Sequence, residues 1–133
     1  MPDMASITIK KSNGTTDIVY VKKSPSAGDK VAATWTADSE SDIHVHRPAF
    51  SMTTRSNGNV VKPARKVYTM FRMPIVELID GVPTIMAYVP ISTEATLPTN
   101  VSAAKVKEAI YQNGNLMVHA LVRSSFEEGY APT

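Results

Sequence analysis

No cysteine occurs among the 133 residues. Disulfides, thiolate metal sites, iron–sulfur clusters and cysteine nucleophiles are excluded together. Long hydrophobic runs are missing as well. No stretch approaches the roughly 18 apolar residues of a membrane-spanning helix, and the N-terminus lacks the basic-then-apolar pattern of a secretory signal. These absences predict neither membrane insertion nor export, and a cytoplasmic product. Glycine is scarce, at six residues, and dispersed, so no G-x-x-x-x-G-K loop cradles a nucleotide's phosphates. Neither G-x-S-x-G nor a comparable local nucleophile signature is found. The three histidines supply little. His44 and His46 stand two apart on a predicted strand and could ligate a metal with Asp42 nearby, but zinc sites need a further convincing ligand. They read more simply as surface residues. His119, in an apolar stretch, reads as a satisfied or dimer-contact histidine rather than a general base. Nothing in these patterns points to an enzyme or to a cofactor.

What the chain does contain is an ordinary globular mixture, 43% hydrophobic and 20% charged, in a length that suits one domain over residues 1–133. A chain of this size buries roughly two thirds of the surface its unfolded form exposes. The core is therefore modest, and a partner can complete it. The net charge of +2 conceals a regional asymmetry. Residues 46–75 carry Arg47, Arg55, Lys62, Arg65, Lys66 and Arg72 with no carboxylate, whereas from Glu77 onward six carboxylates face Lys105, Lys107 and Arg123. A local basic field is the electrostatic footprint of a phosphate-binding surface, although ordinary solvated faces carry such clusters too.

The patterning runs strands first, helices last. Residues 6–11 and 17–22, joined through Asn13-Gly14, read as a hairpin; Ser24-Pro25 ends it, because proline donates no ladder hydrogen bond. A third strand is predicted at 31–36 with Trp35 as a core anchor, followed by a polar surface loop at 38–42. The strongest alternation covers 49–55 and 65–77, two strands expected to pair antiparallel across the connection 56–64, which contains Asn57-Gly58 and Pro63. Asp80-Gly81 turns the chain into a last strand at 84–92, where Pro90 marks an edge or an end. Beyond Leu97-Pro98 the period changes. Asn100 or Ser102 caps a helix predicted to run to residue 112 with a narrow stripe of Val106, Ala109 and Ile110, and Asn113-Gly114 supplies a positive-φ stop. Residues 116–122 are apolar nearly all round, which predicts a second helix buried on several sides. A tail follows from 124, in which Glu127-Glu128 reads as a solvated charge pair.

The expected fold is therefore α+β: an antiparallel sheet, built from an N-terminal hairpin and a meander, followed by two C-terminal helices. A single sheet with one apolar face needs a cover, and a symmetric dimer that exchanges helices would supply it.

Period two assigns the faces. Phe50, Met52 and Thr54 of one strand and Val67, Thr69, Phe71 and Met73 of the next share the apolar side. Ser51, Thr53, Arg55, Lys66, Tyr68, Met70 and Arg72 lie opposite, with Tyr88 on the strand beyond. Such a face has a mechanism for RNA. Arg and Lys neutralise phosphates, hydroxyls donate to phosphates or base edges, and tyrosine stacks on an unpaired base for about 1 to 3 kcal/mol. A solvent-exposed sheet face also carries these residue types for β-propensity and solubility alone.

The order of these motifs resembles the coat proteins of single-stranded RNA bacteriophages, the levivirus-like family, over essentially the whole chain. The resemblance is carried by the N-terminal hairpin, by Ala33-Thr34-Trp35, by Thr53-Thr54-Arg55-Ser56-Asn57-Gly58, by Arg65-Lys66-Val67-Tyr68 leading to Met73-Pro74, and by the passage from the last strand into two helices. It implies intertwined homodimers that assemble into an icosahedral shell in the bacterial host cytoplasm. The open sheet face would be turned inward to single-stranded genomic RNA in the virion. It also implies binding of an RNA stem-loop as a translational repressor, with contacts falling on Ser51, Thr53, Arg55, Tyr68, Met70 and Arg72 and a stacking tyrosine at Tyr88. Met70 departs from what suits RNA, where a polar or basic residue fits better. Residues 77–83 look like the flexible loop that meets its counterparts around shell axes. The reading in another class is a small dimeric RNA-binding regulator that never assembles.

Overall fold

The computed structural model describes residues 2–133. Six antiparallel strands follow one another in sequence order: β1 (Ile7–Lys10), β2 (Asp17–Ser24), β3 (Ala33–Thr36), β4 (Ala49–Gly58), β5 (Pro63–Ile79) and β6 (Val82–Pro98). Two helices come last, α1 (Ala103–Met117) and α2 (Ala120–Glu128). The α+β meander read from the sequence is the observed architecture.

The first hairpin closes as its residues require. Asn13 accepts hydrogen bonds from the Thr15 and Thr16 amides at 3.0 and 2.9 Å, and Gly14 takes φ +73°, a conformation that costs other residues a steric clash at Cβ. β2 is shared between two partners. Its first half pairs with β1 and its second half with β3, with an irregularity between Lys22 and Ser24. Ile18 and Tyr20 thereby join Trp35 and Ala37 in the buried core, against Met4, Ala33, Phe50 and Phe71. The Trp35 indole donates to the Ala5 carbonyl at 2.8 Å, so the buried N–H keeps a partner. The rings pack at angles, Tyr20 edge-on to Phe71 with centroids 6.2 Å apart and Trp35 tilted to Phe50 at 5.5 Å. Burial, with the Glu40 carboxylate nearby, pushes the Tyr20 hydroxyl above its ordinary pKa.

Several boundaries differ from the sequence-based expectation, each for a physical reason. β4, β5 and β6 are longer than predicted, because the ladder of backbone hydrogen bonds continues past the ends of the alternating segments, whatever the side chains there. The connection expected at 56–64 shrinks to residues 59–62, where Asn59 accepts from the Val61 and Lys62 amides at 2.9 and 2.8 Å. Residues 77–83 are not a loop. β5 and β6 remain paired to Ile79 and Val82, and only Asp80 and Gly81 turn, both at positive φ, the two-residue turn whose twist matches a hairpin. His44 to His46 form a 3₁₀ turn and not a strand.

The helices differ most. α1 runs straight through Asn113-Gly114 to Met117, and the left-handed stop lies instead at Gly129, φ +78°, after α2. The apolar stretch 116–122 is thus split between the end of α1, the joint at Val118-His119 and the first turn of α2. His119 caps α2, its Nδ1 accepting from the Leu121 amide at 3.2 Å. Residues 124–128, predicted as tail, are helical.

The predicted burial of 116–122 does not occur within one chain. Leu116, Val118 and Leu121 are exposed, with Ile110 and Phe126. The helices pack chiefly on each other and neither contains a buried residue. On the sheet, Met73, Ile75, Val89 and Ile91 are exposed on the side that carries Phe71. Tyr20 and the hairpin cover β3 to β5 near Phe71, and among the described residues nothing covers the apolar side of β6.

Candidate nucleic-acid interface

The register of the central strands assembles the predicted face. Across β4, β5 and β6, Ser51 lies opposite Met70 and Met70 opposite Ser92; Thr53 opposite Tyr68 and Tyr68 opposite Glu94; Arg55 opposite Lys66 and Lys66 opposite Thr96. Arg72 sits between Ala49 and Pro90, and Tyr88 faces Pro74 one step further. Directly opposed residues in a sheet point to the same side. Ser51, Thr53, Arg55, Lys66, Tyr68, Met70, Arg72 and Tyr88 therefore share one face, opposite the side of Phe50 and Phe71. Met70 stands in the middle of it, flanked by two serines.

Two concentrations of functional groups occur on this face. At one end the Arg72 guanidinium carbon lies 4.7 Å from the centre of the Tyr88 ring. At the other, Lys30, Thr53, Arg55, Lys66, Tyr68 and Glu94 line an open pocket of about 280 Å³. Three cations and one carboxylate ring this depression, with a tyrosine in its wall. The carboxylate is engaged: Glu94 pairs with Lys66.

The loop before β3 delivers Lys30. Its amide donates to the Thr54 carbonyl at 2.9 Å, and Lys30 itself has φ +69°, a region that non-glycine residues enter only where the surroundings hold them. The next residue back does the holding. Asp29 takes both terminal nitrogens of Arg65, at 2.6 and 3.1 Å, and Arg65 also donates to the Ser56 hydroxyl at 3.0 Å. The Arg65 guanidinium keeps the Asp29 carboxyl below its ordinary pKa, and Asp29 raises that of Arg65 in return. Arg65, counted in the basic block, is thus committed within the chain, while Arg55 and Arg72 remain exposed on the face.

Lys30 and Glu94 were not among the residues read from the sequence. Glu94 had a signal: continuing the alternation Tyr88, Pro90, Ser92 by one step reaches it, and ending the strand at Ser92 hid it. Lys30 had none, since a loop residue joins the face only through tertiary folding. Among the described residues no group of three His, Cys, Asp or Glu side chains is arranged to hold a metal ion; His44 Nδ1 lies 3.1 Å from the Arg47 guanidinium. No helix among them is long and apolar enough to cross a membrane.

No family model and no curated protein matches this sequence. Solved structures match along its whole length. The virus-like particle of bacteriophage ESE058 superposes with a TM-score of 0.83 at 18% identity, covering 99% of this chain and 100% of that one. The virus-like particle of Beihai levi-like virus 21 gives 0.80 at 17% identity, covering 99% of each. The bacteriophage GA capsid protein gives 0.65 at 15%, covering 96% of this chain and 95% of that one. With so little identity, what is shared is the path of the backbone: a six-stranded antiparallel meander followed by two helices, the RNA-phage coat-protein fold, which this chain has from end to end.

Proposed function

We propose that this chain is the capsid protein of a single-stranded RNA bacteriophage, a structural protein and not an enzyme. Two copies join about a two-fold axis, and the dimers assemble into an icosahedral shell with the polar sheet face turned inward on the genome.

The observation that carries this reading is the pair of uncovered apolar surfaces. Met73, Ile75, Val89 and Ile91 lie open on the sheet, while Ile110, Leu116, Leu121 and Phe126 lie open on the helices. Neither surface covers the other within one chain. Two-fold pairing places each copy's helices over its partner's sheet, an isologous arrangement that satisfies both at once. β6 is an edge strand with a free row of backbone groups, and edge-to-edge pairing with a second β6 removes that liability. The opposite face then supplies Arg55, Lys66 and Arg72 for phosphates and Tyr68 and Tyr88 for bases. The same face suits an RNA stem-loop, whose capture would repress translation and mark the genome for packaging.

Expression of the full chain in bacteria, followed by size-exclusion chromatography and electron microscopy, tests the reading. Spherical particles tens of nanometres across that carry nucleic-acid absorbance are expected. A stable small dimer that binds RNA but never assembles would overturn the capsid role in favour of an RNA-binding regulator.

A further inference from the structure

We propose that Glu94 occupies the place of an RNA phosphate on Lys66 when the face is empty, and yields it when RNA binds. Glu94 would thus set how strongly the face holds the RNA backbone. The inference rests on the RNA-binding reading above.

The argument starts from the register. Arg55 and Lys66 are directly opposed on one face, and like charges in that position destabilise a sheet. An empty face therefore needs an anion beside them. Glu94 supplies it from β6. It is opposite Tyr68, while Lys66 is opposite Thr96, so the carboxylate reaches Lys66 along the diagonal, a distance long side chains span.

Exposure decides which partner can leave. The Lys66 side chain is 19% exposed and that of Glu94 51%. The ammonium is sheltered in the wall of the pocket and keeps a need for a counter-charge, whereas the carboxylate lies outward with room to swing into solvent. Exposed pairs of this kind hold weakly. The neighbouring Asp29–Arg65 pair differs: it is two-pronged and buttressed by Ser56, a geometry that resists opening. An arriving phosphodiester meets Lys30 and Arg55 at the pocket, neither in an ion pair among the described residues, and completes its neutralisation by displacing Glu94 from Lys66.

One consequence is a lowered affinity for RNA in general, because every RNA must first compete with an internal anion. Another is a masked salt dependence. A new phosphate contact to single-stranded RNA adds about 0.7 to the slope of log K against log salt, and Glu94 withholds that increment.

The test uses the full chain and a labelled uridine oligomer, titrated across a salt series, with Glu94→Gln, Lys66→Met and the double variant. Glu94→Gln should bind about fivefold more tightly at about 0.1 M salt, with the slope steeper by about 0.7. Lys66→Met should bind more weakly than the parent, and on that background Glu94→Gln should bring neither the gain in affinity nor the steeper slope. Free Glu94→Gln should also melt at a lower temperature than the parent, and the oligomer should restore the difference. Glu94→Thr, which retains strand propensity, serves if the glutamine variant does not fold. An unchanged or weaker Glu94→Gln, beside a parent that binds the oligomer, would overturn this inference alone. A parent chain with no affinity for RNA would overturn the proposed function and this inference with it.

Discussion

The guanidinium of Arg72 lies over the ring of Tyr88, 4.7 Å from its centre, joining the middle of β5 to the edge strand. A cation over a tyrosine ring at an exposed site contributes about 0.5 to 1 kcal/mol, enough to orient both side chains without fixing them. The ring's other side is left for a base and the guanidinium's edge for a phosphate. The two residues should therefore fail differently. Arg72→Ala should weaken RNA binding and flatten its salt dependence by about 0.7 per lost contact. Tyr88→Ala should cost about 1 to 3 kcal/mol of binding with the slope unchanged. Both should leave assembly of the empty protein intact, and equal salt slopes in the two variants would sink the assignment. The pair is in contact, so the double variant should lose less than the sum of the single losses.

Phe71 and Met70 are adjacent in β5 and point to opposite sides. Phe71 packs on Tyr20, so Phe71→Ala should destabilise the fold by about 3 kcal/mol, read as a lowered midpoint in urea. Met70→Ala should cost much less and act on RNA binding instead. If Phe71→Ala folds normally but loses RNA, the two faces of the sheet have been assigned the wrong way round.

Gly58 and Gly81 both take positive φ, +85° and +78°, but only one is crowded. A Cβ at Gly58 would stand 2.1 Å from the Lys62 carbonyl oxygen, whereas nothing lies within 4 Å of one at Gly81. Gly81→Ala should thus cost only the conformational penalty of about 1 to 2 kcal/mol. Gly58→Ala should cost more, because the tight turn at 59–62 must also shift. Denaturant titration of the two variants compares them directly, and equal losses would contradict the geometry.

Asp38 ties the first hairpin to the sheet. It pairs with Lys23, accepts from Thr36 at 2.6 Å and takes the Arg47 guanidinium at 3.3 Å. The hydrogen bond from Lys23, with Thr36 and the nearby cations, holds its carboxyl below the ordinary aspartate pKa. A carboxyl depressed in the folded state favours folding above its unfolded pKa, about 3.9, and that contribution is lost as pH falls through the lower folded value. Thermal melts should accordingly weaken below about pH 4. Asp38→Asn should lower stability at neutral pH and reduce the acid-dependent loss, and an unaltered acid limb would show that other carboxylates govern it.

How far the fold was legible in the chain itself depends on which force sets each feature. Strand parity was legible because period two is a property of the backbone. Phe50 and Phe71 can only be on the side opposite Ser51 and Arg72 once both segments are strands, and the division into an apolar and a polar face followed from that. The reach of the strands was not legible. Glu94 and Thr96 belong to β6 because their backbone groups pair with β5, and polar side chains leave no mark of that pairing. The helix stop was misread at Gly114 for a related reason. Glycine permits positive φ without requiring it, and here the chain keeps helical geometry until Met117.

The missing cysteines and the absent long apolar run bounded this protein from its sequence by itself, as did the alternation of the strands and the concentration of cations in residues 46–75. Those features depend only on composition and local geometry. Tertiary structure alone decided that Lys30 joins the face, that Asp29 claims Arg65, and that Glu94 reaches Lys66, because each contact joins residues far apart in the chain. It also decided that the apolar helices and the apolar side of β6 remain uncovered within a single chain, since whether two surfaces meet is a matter of chain path, which no local pattern encodes.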